Sequence, residues 1–268
     1  MTSRHETRFA LLTAFLFALT FATSCRDKLS TTTHAGEITV AAASDLTPAF
    51  EELGRAFEAT HQTKVVFVFG STGMLTRQIE NGAPMDLFAA ANVSYVEELE
   101  NQGLIIPGTK AIYARGRITL WTSIDSNLRL ENISDLARPE VMRIAIANPD
   151  HAPYGLAAKQ ALESVGIWDR VTPKLVYADN IRQALQYADT GNVEVAIVAL
   201  SISKQSRGRS TLIPEELHQP LDQGLAIMKS TKNESAARTF AAFIASPQGR
   251  EIMQKYGFTL PTKSGSPQ

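Results

Sequence analysis

The chain has 268 residues, 44% hydrophobic and 20% charged, enough apolar material for one large domain or two small ones. Its formal net charge of −1 argues against a general binder of nucleic acid or acidic membrane. A single cysteine excludes an internal disulfide and any cysteine-based metal cluster.

Arg4 and Arg8 precede an apolar run from Phe9 to Ala22. Its length, about 14 residues, suits a signal h-region and falls short of the ~20 that a membrane span needs. Ala22-Thr-Ser-Cys25 then resembles a bacterial lipobox, with small residues ahead of a cysteine that would be lipidated and become the new N-terminus. The leucine usual three places before that cysteine is Ala22 here. Residues 1–25 are therefore expected to be a signal peptide with a lipobox-like end, and the mainly polar residues 26–36 a flexible tether.

From Glu37 onward short β-like runs alternate with helical stretches, which predicts a mostly parallel α/β fold. Strand Ile38–Ala43 leads into helix Pro48–Glu58, with Thr47 as its expected cap and Pro48 in the first turn. Strand Val65–Phe69 leads into a helix with Leu75 and Ile79 inward, ended by Gly82-Ala-Pro84. A short strand, Asp86–Ala90, precedes helix Ser94–Gln102, and Ile118–Thr122 is a strand leaving this unit. A second set follows. Strand Arg143–Ala147 precedes a helix opened by Pro153 and running to about Val165; strand Lys174–Tyr177 precedes a helix opened by Asp179-Asn-Ile. Val193–Leu200 and Gly224–Met228 are apolar strands, and helices Glu234–Ile244 and Gln248–Tyr256 close the chain.

The signatures of catalysis are missing. Ser44 and Ser71 lack the G-x-S-x-G surround of a nucleophile elbow. His34, His61, His151 and His218 are scattered without metal spacing, and Asp150-His151 reads as part of a turn. No GxxxxGK[ST] or GxGxxG occurs, and Gly70-Ser-Thr-Gly73 is too short and lacks a lysine. The reading is a binding protein with no cofactor, not an enzyme.

Two junctions carry more information. Ile38-Thr-Val-Ala-Ala-Ala-Ser-Asp-Leu-Thr-Pro48 and Val65-Val-Phe-Val-Phe-Gly-Ser-Thr-Gly-Met-Leu75 each end an apolar run in Ala or Gly, add a hydroxyl, and begin a helix. A helix N-terminus offers unpaired N–H groups and a positive dipole end, and small residues let backbone approach a ligand closely. Ser44, Ser71, Thr72, Tyr154 and Asn180 all sit at such turns. Singly, Ser, Thr and Asn there are ordinary helix caps. Together they suggest an oxyanion held by neutral donors between two facing α/β lobes, at the carboxyl ends of the strands. Hydrogen bonds to a charged group contribute roughly 1.5–3 kcal/mol each, so about six would offset an association cost of order 4–15 kcal/mol. Neutral donors would also leave binding insensitive to pH.

Ala41-Ala-Ala-Ser-Asp-Leu, Phe69-Gly-Ser-Thr-Gly-Met-Leu, Arg77-Gln-Ile-Glu-Asn-Gly-Ala-Pro-Met-Asp-Leu-Phe88, Asn148-Pro-Asp-His-Ala-Pro-Tyr-Gly155 and Lys255-Tyr-Gly-Phe258 resemble the periplasmic molybdate-binding proteins of bacterial ABC importers. The resemblance covers essentially all of residues 37–260. It implies an α/β, two-lobed periplasmic binding-protein fold of type II. Lobe 1 would comprise residues 37–120, lobe 2 residues 121–221, and residues 222–262 would return to lobe 1. It implies molybdate or tungstate as ligand, an inner-membrane ABC permease as partner, a monomeric state, and a periplasmic location, anchored through Cys25 if that residue is lipidated. By position, Ser44 matches the first hydroxyl ligand with the Asp45 N–H beside it, and Thr72, next to Ser71, the second. Tyr154 falls where an N–H or a tyrosine hydroxyl is supplied, and Ile181 where a backbone N–H is supplied at a helix start. Ala199 stands where some members carry a tyrosine ligand, so Tyr154 is expected to provide the lost hydroxyl. The Asp45 side chain is expected to point outward and support the helix N-terminus; facing the cleft, it would favour a protonated oxyanion such as phosphate. Sulfate and phosphate remain alternative ligands, and a sensing adaptor or adhesion lipoprotein would share fold and site.

Overall fold

A computed structural model describes residues 36–260, so the expected signal peptide, Cys25 and nearly all of the tether lie outside the described residues. Chain order begins β1 (Gly36–Ala43), α1 (Thr47–Glu58), β2 (Thr63–Gly70), α2 (Thr72–Glu80), β3 (Leu87–Ala90), α3 (Val93–Asn101), β4 (Ala111–Gly116) and β5 (Ile118–Ser123). It continues β6 (Ile144–Ala147), α4 (Pro153–Ser164), α5 (Trp168–Val171), β7 (Leu175–Ala178), α6 (Ile181–Asp189), β8 (Val195–Ala199) and α7 (Leu200–Ser203). It closes with β9 (Gly208–Leu212), β10 (Leu221–Ile227), α8 (Glu234–Ala245) and α9 (Pro247–Lys255).

These strands form two five-stranded sheets, ordered β2-β1-β3-β10-β4 and β7-β6-β8-β5-β9. Both follow one plan. A central strand has a parallel neighbour on each side, β1 between β2 and β3, β6 between β7 and β8. An antiparallel strand, β10 or β5, then follows, with an antiparallel edge strand beyond it. The fold class is α/β as expected, but the sheets are mixed rather than mostly parallel. The two strands absent from the sequence reading, β4 and β9, are these antiparallel edges. Both are short and carry an arginine and a glycine, and β9 has no buried residue.

Both sheets belong to one compact unit. The chain passes between them twice. Arg117 alone separates β4 from β5, and residues 213–220 lead back from β9 to β10. Gly116, the last residue of β4, pairs with Leu221, the first of β10. The largest buried cluster draws on both sheets, with Trp121, Phe50, Phe57 and Phe240 fully enclosed. Around α1, Phe57 meets the edges of Phe240 and Phe243 at 5.1 and 5.5 Å. The closing Lys255-Tyr-Gly-Phe segment pins α9 to α1: Lys255 Nζ lies 2.6 Å from Glu52, and Tyr256 donates its hydroxyl to the same carboxylate at 2.7 Å.

Candidate functional site

Register sets the site. In the parallel β1–β2 pair Ala43 stands opposite Gly70, so Ser44 and Ser71 leave the first sheet side by side. In the β6–β7 pair Ala147 stands opposite Ala178, so the turns before α4 and α6 leave the second sheet level with each other. Four strand-to-helix junctions thus gather at strand carboxyl ends, where open α/β sheets bind ligands. Between them lies a small cavity. Ser44 and Asp45 follow β1, Ser71 and Thr72 follow β2, Tyr154 opens α4 and Ile181 opens α6; all six line it. Ala43, Gly70, Ala91, Ala152 and Pro153 complete the wall, which contains no Lys, Arg or His.

Free donors can be counted from the hydrogen bonds. Ser44 is buried, and its hydroxyl makes no hydrogen bond among the described residues. Thr72 Oγ1 accepts the Ala91 N–H at 3.1 Å, which leaves its own proton to donate. The N–H groups of Tyr154 and Ile181 lie in the first turns of α4 and α6, where no intrahelical acceptor exists. Asn180 does not line this cavity. Its side-chain oxygen caps α6 by accepting the N–H groups of Arg182 and Gln183, at 3.0 and 3.1 Å. That leaves the Ile181 N–H uncommitted. Asn180 instead faces a wider, open groove of about 700 Å³ shared with Ser44, Thr47 and Glu51. Thr47 does not cap α1: it is the first helical residue, and its hydroxyl donates back to the Ser44 carbonyl at 2.9 Å.

Asp45 departs from expectation. It points inward and is 1% exposed. Its Oδ2 accepts the Tyr154 hydroxyl at 2.9 Å and Gln223 Nε2 at 2.7 Å. Tyr113 donates to the Gln223 Oε1 at 3.3 Å, which completes a buried network. Burial pushes the Asp45 carboxyl up from 3.8 to about 6, against the opposing pull of the bonds from Gln223, Tyr154 and its own backbone N–H. Burial beside that carboxylate also raises the Tyr154 and Tyr113 hydroxyls well above the usual tyrosine range. The bonds from Gln223 of β10 and Tyr154 of α4 hold the carboxylate inward. Asp45 also carries the Ser201 hydroxyl bond on its carbonyl, at 2.7 Å.

This network changes what Tyr154 offers. Its single hydroxyl proton goes to Asp45, so the donor it turns to the cavity is its backbone N–H. Ala199, the position short of a hydroxyl, is fully buried at the end of β8 and does not line the cavity. A side chain at position 116 would overlap the Tyr154 hydroxyl, so Gly116 makes the room in which Tyr154 reaches Asp45. Sequence reasoning passed over Gln223 and Tyr113, which lie 178 and 68 positions from Asp45 and carry no local motif. It also read His151 as a turn residue. His151 Nδ1 shares a hydrogen bond of 2.8 Å with Ser71 Oγ, and its carbonyl accepts the Gly73 N–H at 2.8 Å.

Comparison with known proteins agrees with this architecture. The family model for bacterial extracellular solute-binding proteins matches residues 38–259. The molybdate-binding protein ModA of Rhodobacter capsulatus is 33% identical over 84% of this chain and 88% of its own. ModA of Azotobacter vinelandii is 33% identical over 87% and 93%. Among solved structures, the Azotobacter vinelandii periplasmic molybdate-binding protein superposes with a TM-score of 0.80 at 32% identity, covering 84% of this chain and all of the other.

Proposed function

Because the chain belongs to the bacterial extracellular solute-binding proteins, we propose that it is the capture component of an ABC importer for molybdate. It takes the tetrahedral oxyanion, molybdate and also tungstate, between its two α/β halves and passes it to a permease in the inner membrane. The anion is cargo rather than cofactor, and no reaction is performed on it. Binding proteins of transporters are its relatives.

One observation carries the reading. Four junctions each turn one uncommitted donor toward a small, cation-free cavity: the hydroxyls of Ser44 and Thr72, and the N–H groups of Tyr154 and Ile181. A tetrahedral dianion has four oxygens to receive them. Each bond to a charged acceptor contributes roughly 1.5–3 kcal/mol, and helix N-termini add favourable dipoles without a cation that would need desolvating. Sulfate is smaller and would leave the same donors stretched. The permease, the monomeric state, export, lipid attachment at Cys25, the boundaries of the two lobes (37–120 with 222–262, and 121–221) and the role of each donor belong to this proposal.

Titration calorimetry of the full chain with molybdate, tungstate, sulfate and phosphate tests it. Tight one-to-one binding of molybdate or tungstate, with the other two silent, is expected. Phosphate carries a proton at neutral pH and is the arm that probes Asp45 as an acceptor. Phosphate binding with molybdate silent would overturn the choice of ligand. Membrane fractionation tests anchoring: Cys25→Ala should release the protein, and an already soluble wild type would refute lipidation.

A further inference from the structure

The start of α2 is capped in an unusual way. Ser71 occupies its N-cap position, yet its hydroxyl takes no N–H from the helix. A serine there ordinarily accepts one from the first turn. Here His151 does both jobs. Its carbonyl accepts the Gly73 N–H at 2.8 Å, and its Nδ1 shares a hydrogen bond with Ser71 Oγ at 2.8 Å. His151 lies two residues ahead of α4, on the far side of the cavity, 80 positions from Ser71. The approach is as close as atoms permit. A Cβ on Gly73 would sit 2.8 Å from the His151 carbonyl oxygen and 3.0 Å from its Cβ. Neither bond passes through the cavity, and His151 itself does not line it.

These contacts tie together two helix starts that both supply donors, Thr72 from α2 and the Tyr154 N–H from α4. We propose that His151 is a positioning residue for anion capture: it clasps α2 to the start of α4, fixes the gap between them, and so sets the size of tetrahedral oxyanion that fits. The proposal rests on the oxyanion reading of the cavity. A gap held rigid at the larger size penalises a smaller anion. A slack gap lets the two halves close further, and discrimination falls.

Titration calorimetry on the full chain, with molybdate and with sulfate as its competitor, tests this. His151→Ala and Ser71→Ala should each weaken molybdate binding by roughly three- to tenfold, the factor that one neutral hydrogen bond carries. The double variant should lose no more than the larger single loss, because both changes remove the same bond. In His151→Ala the sulfate-to-molybdate ratio of Kd values should fall by at least the same factor. His151→Asn, whose amide can occupy the place of Nδ1, should restore the ratio. Multiplied losses in the double variant, or an unchanged ratio in His151→Ala, would overturn the proposal and leave the oxyanion reading standing. A wild-type chain that binds neither anion would overturn both.

Discussion

Replacing Asp45 by Asn should remove a pH dependence of folding stability. Desolvation raises this carboxyl from 3.8 to about 6, and the bonds from Gln223 and Tyr154 only partly offset it. A shift of about two units corresponds to about 3 kcal/mol. Below 3.8 the group is neutral in both folded and unfolded chains, and the linked stability is fully present. Between 3.8 and about 6 the folded chain holds a proton that the unfolded chain has released, so stability falls as pH rises. The loss is complete near pH ~7, about one unit above the folded value. Asparagine stays neutral throughout. Urea unfolding of both proteins from pH 4 to 8 supplies the difference, in which the other titrating groups cancel. Wild-type stability relative to Asp45→Asn should decline by most of ~3 kcal/mol and then level off. Parallel profiles would mean that the carboxylate is solvated in the folded chain, and the buried network with Tyr154 and Gln223 would be refuted.

The other predictions are local. Ser44→Ala should weaken molybdate binding by roughly 10- to 150-fold, the factor of one bond to a charged acceptor, and leave the anion-free melting temperature nearly unmoved; calorimetry and a thermal melt read the two. Gly116→Ala should cost about 1–3 kcal/mol, because the new methyl takes the space of the Tyr154 hydroxyl; undiminished stability to urea would refute that packing. Tyr256→Phe should cost about 1 kcal/mol through the lost bond to Glu52, and unchanged unfolding would show that α9 is held by apolar contacts alone.

The parts of the site written in local sequence were legible. Ser44, Ser71, Thr72, Tyr154 and Ile181 each follow the rule that a strand ends, a small or polar residue turns, and a helix opens, and they converge because parallel strands place such turns at one edge. Asn180 obeys the same rule but turns its oxygen to its own helix, a choice that no spacing distinguishes. The inward turn of Asp45 was hidden because it depends on Gln223 and Tyr154, residues that only the folded chain brings near. The same holds for His151, whose partners sit across the cavity. Strands β4 and β9 were missed because glycine and arginine interrupt their short runs, Arg115-Gly116 at the end of β4 and Gly208-Arg209 at the start of β9, and hide the apolar pattern by which strands are read.

The pairing of Gly116 with Leu221 has a further consequence. Strands β4 and β10 are antiparallel neighbours, the arrangement that a two-residue turn ordinarily joins. In place of that turn stands the whole stretch from Arg117 to residue 220, second sheet included. Topologically the chain is one α/β module whose hairpin loop has grown into another. Departure and return are therefore one strand spacing apart, about 4.8 Å, like the two leaves of a narrow butt hinge. Such a joint leaves the inserted half little freedom except to swing about that single line.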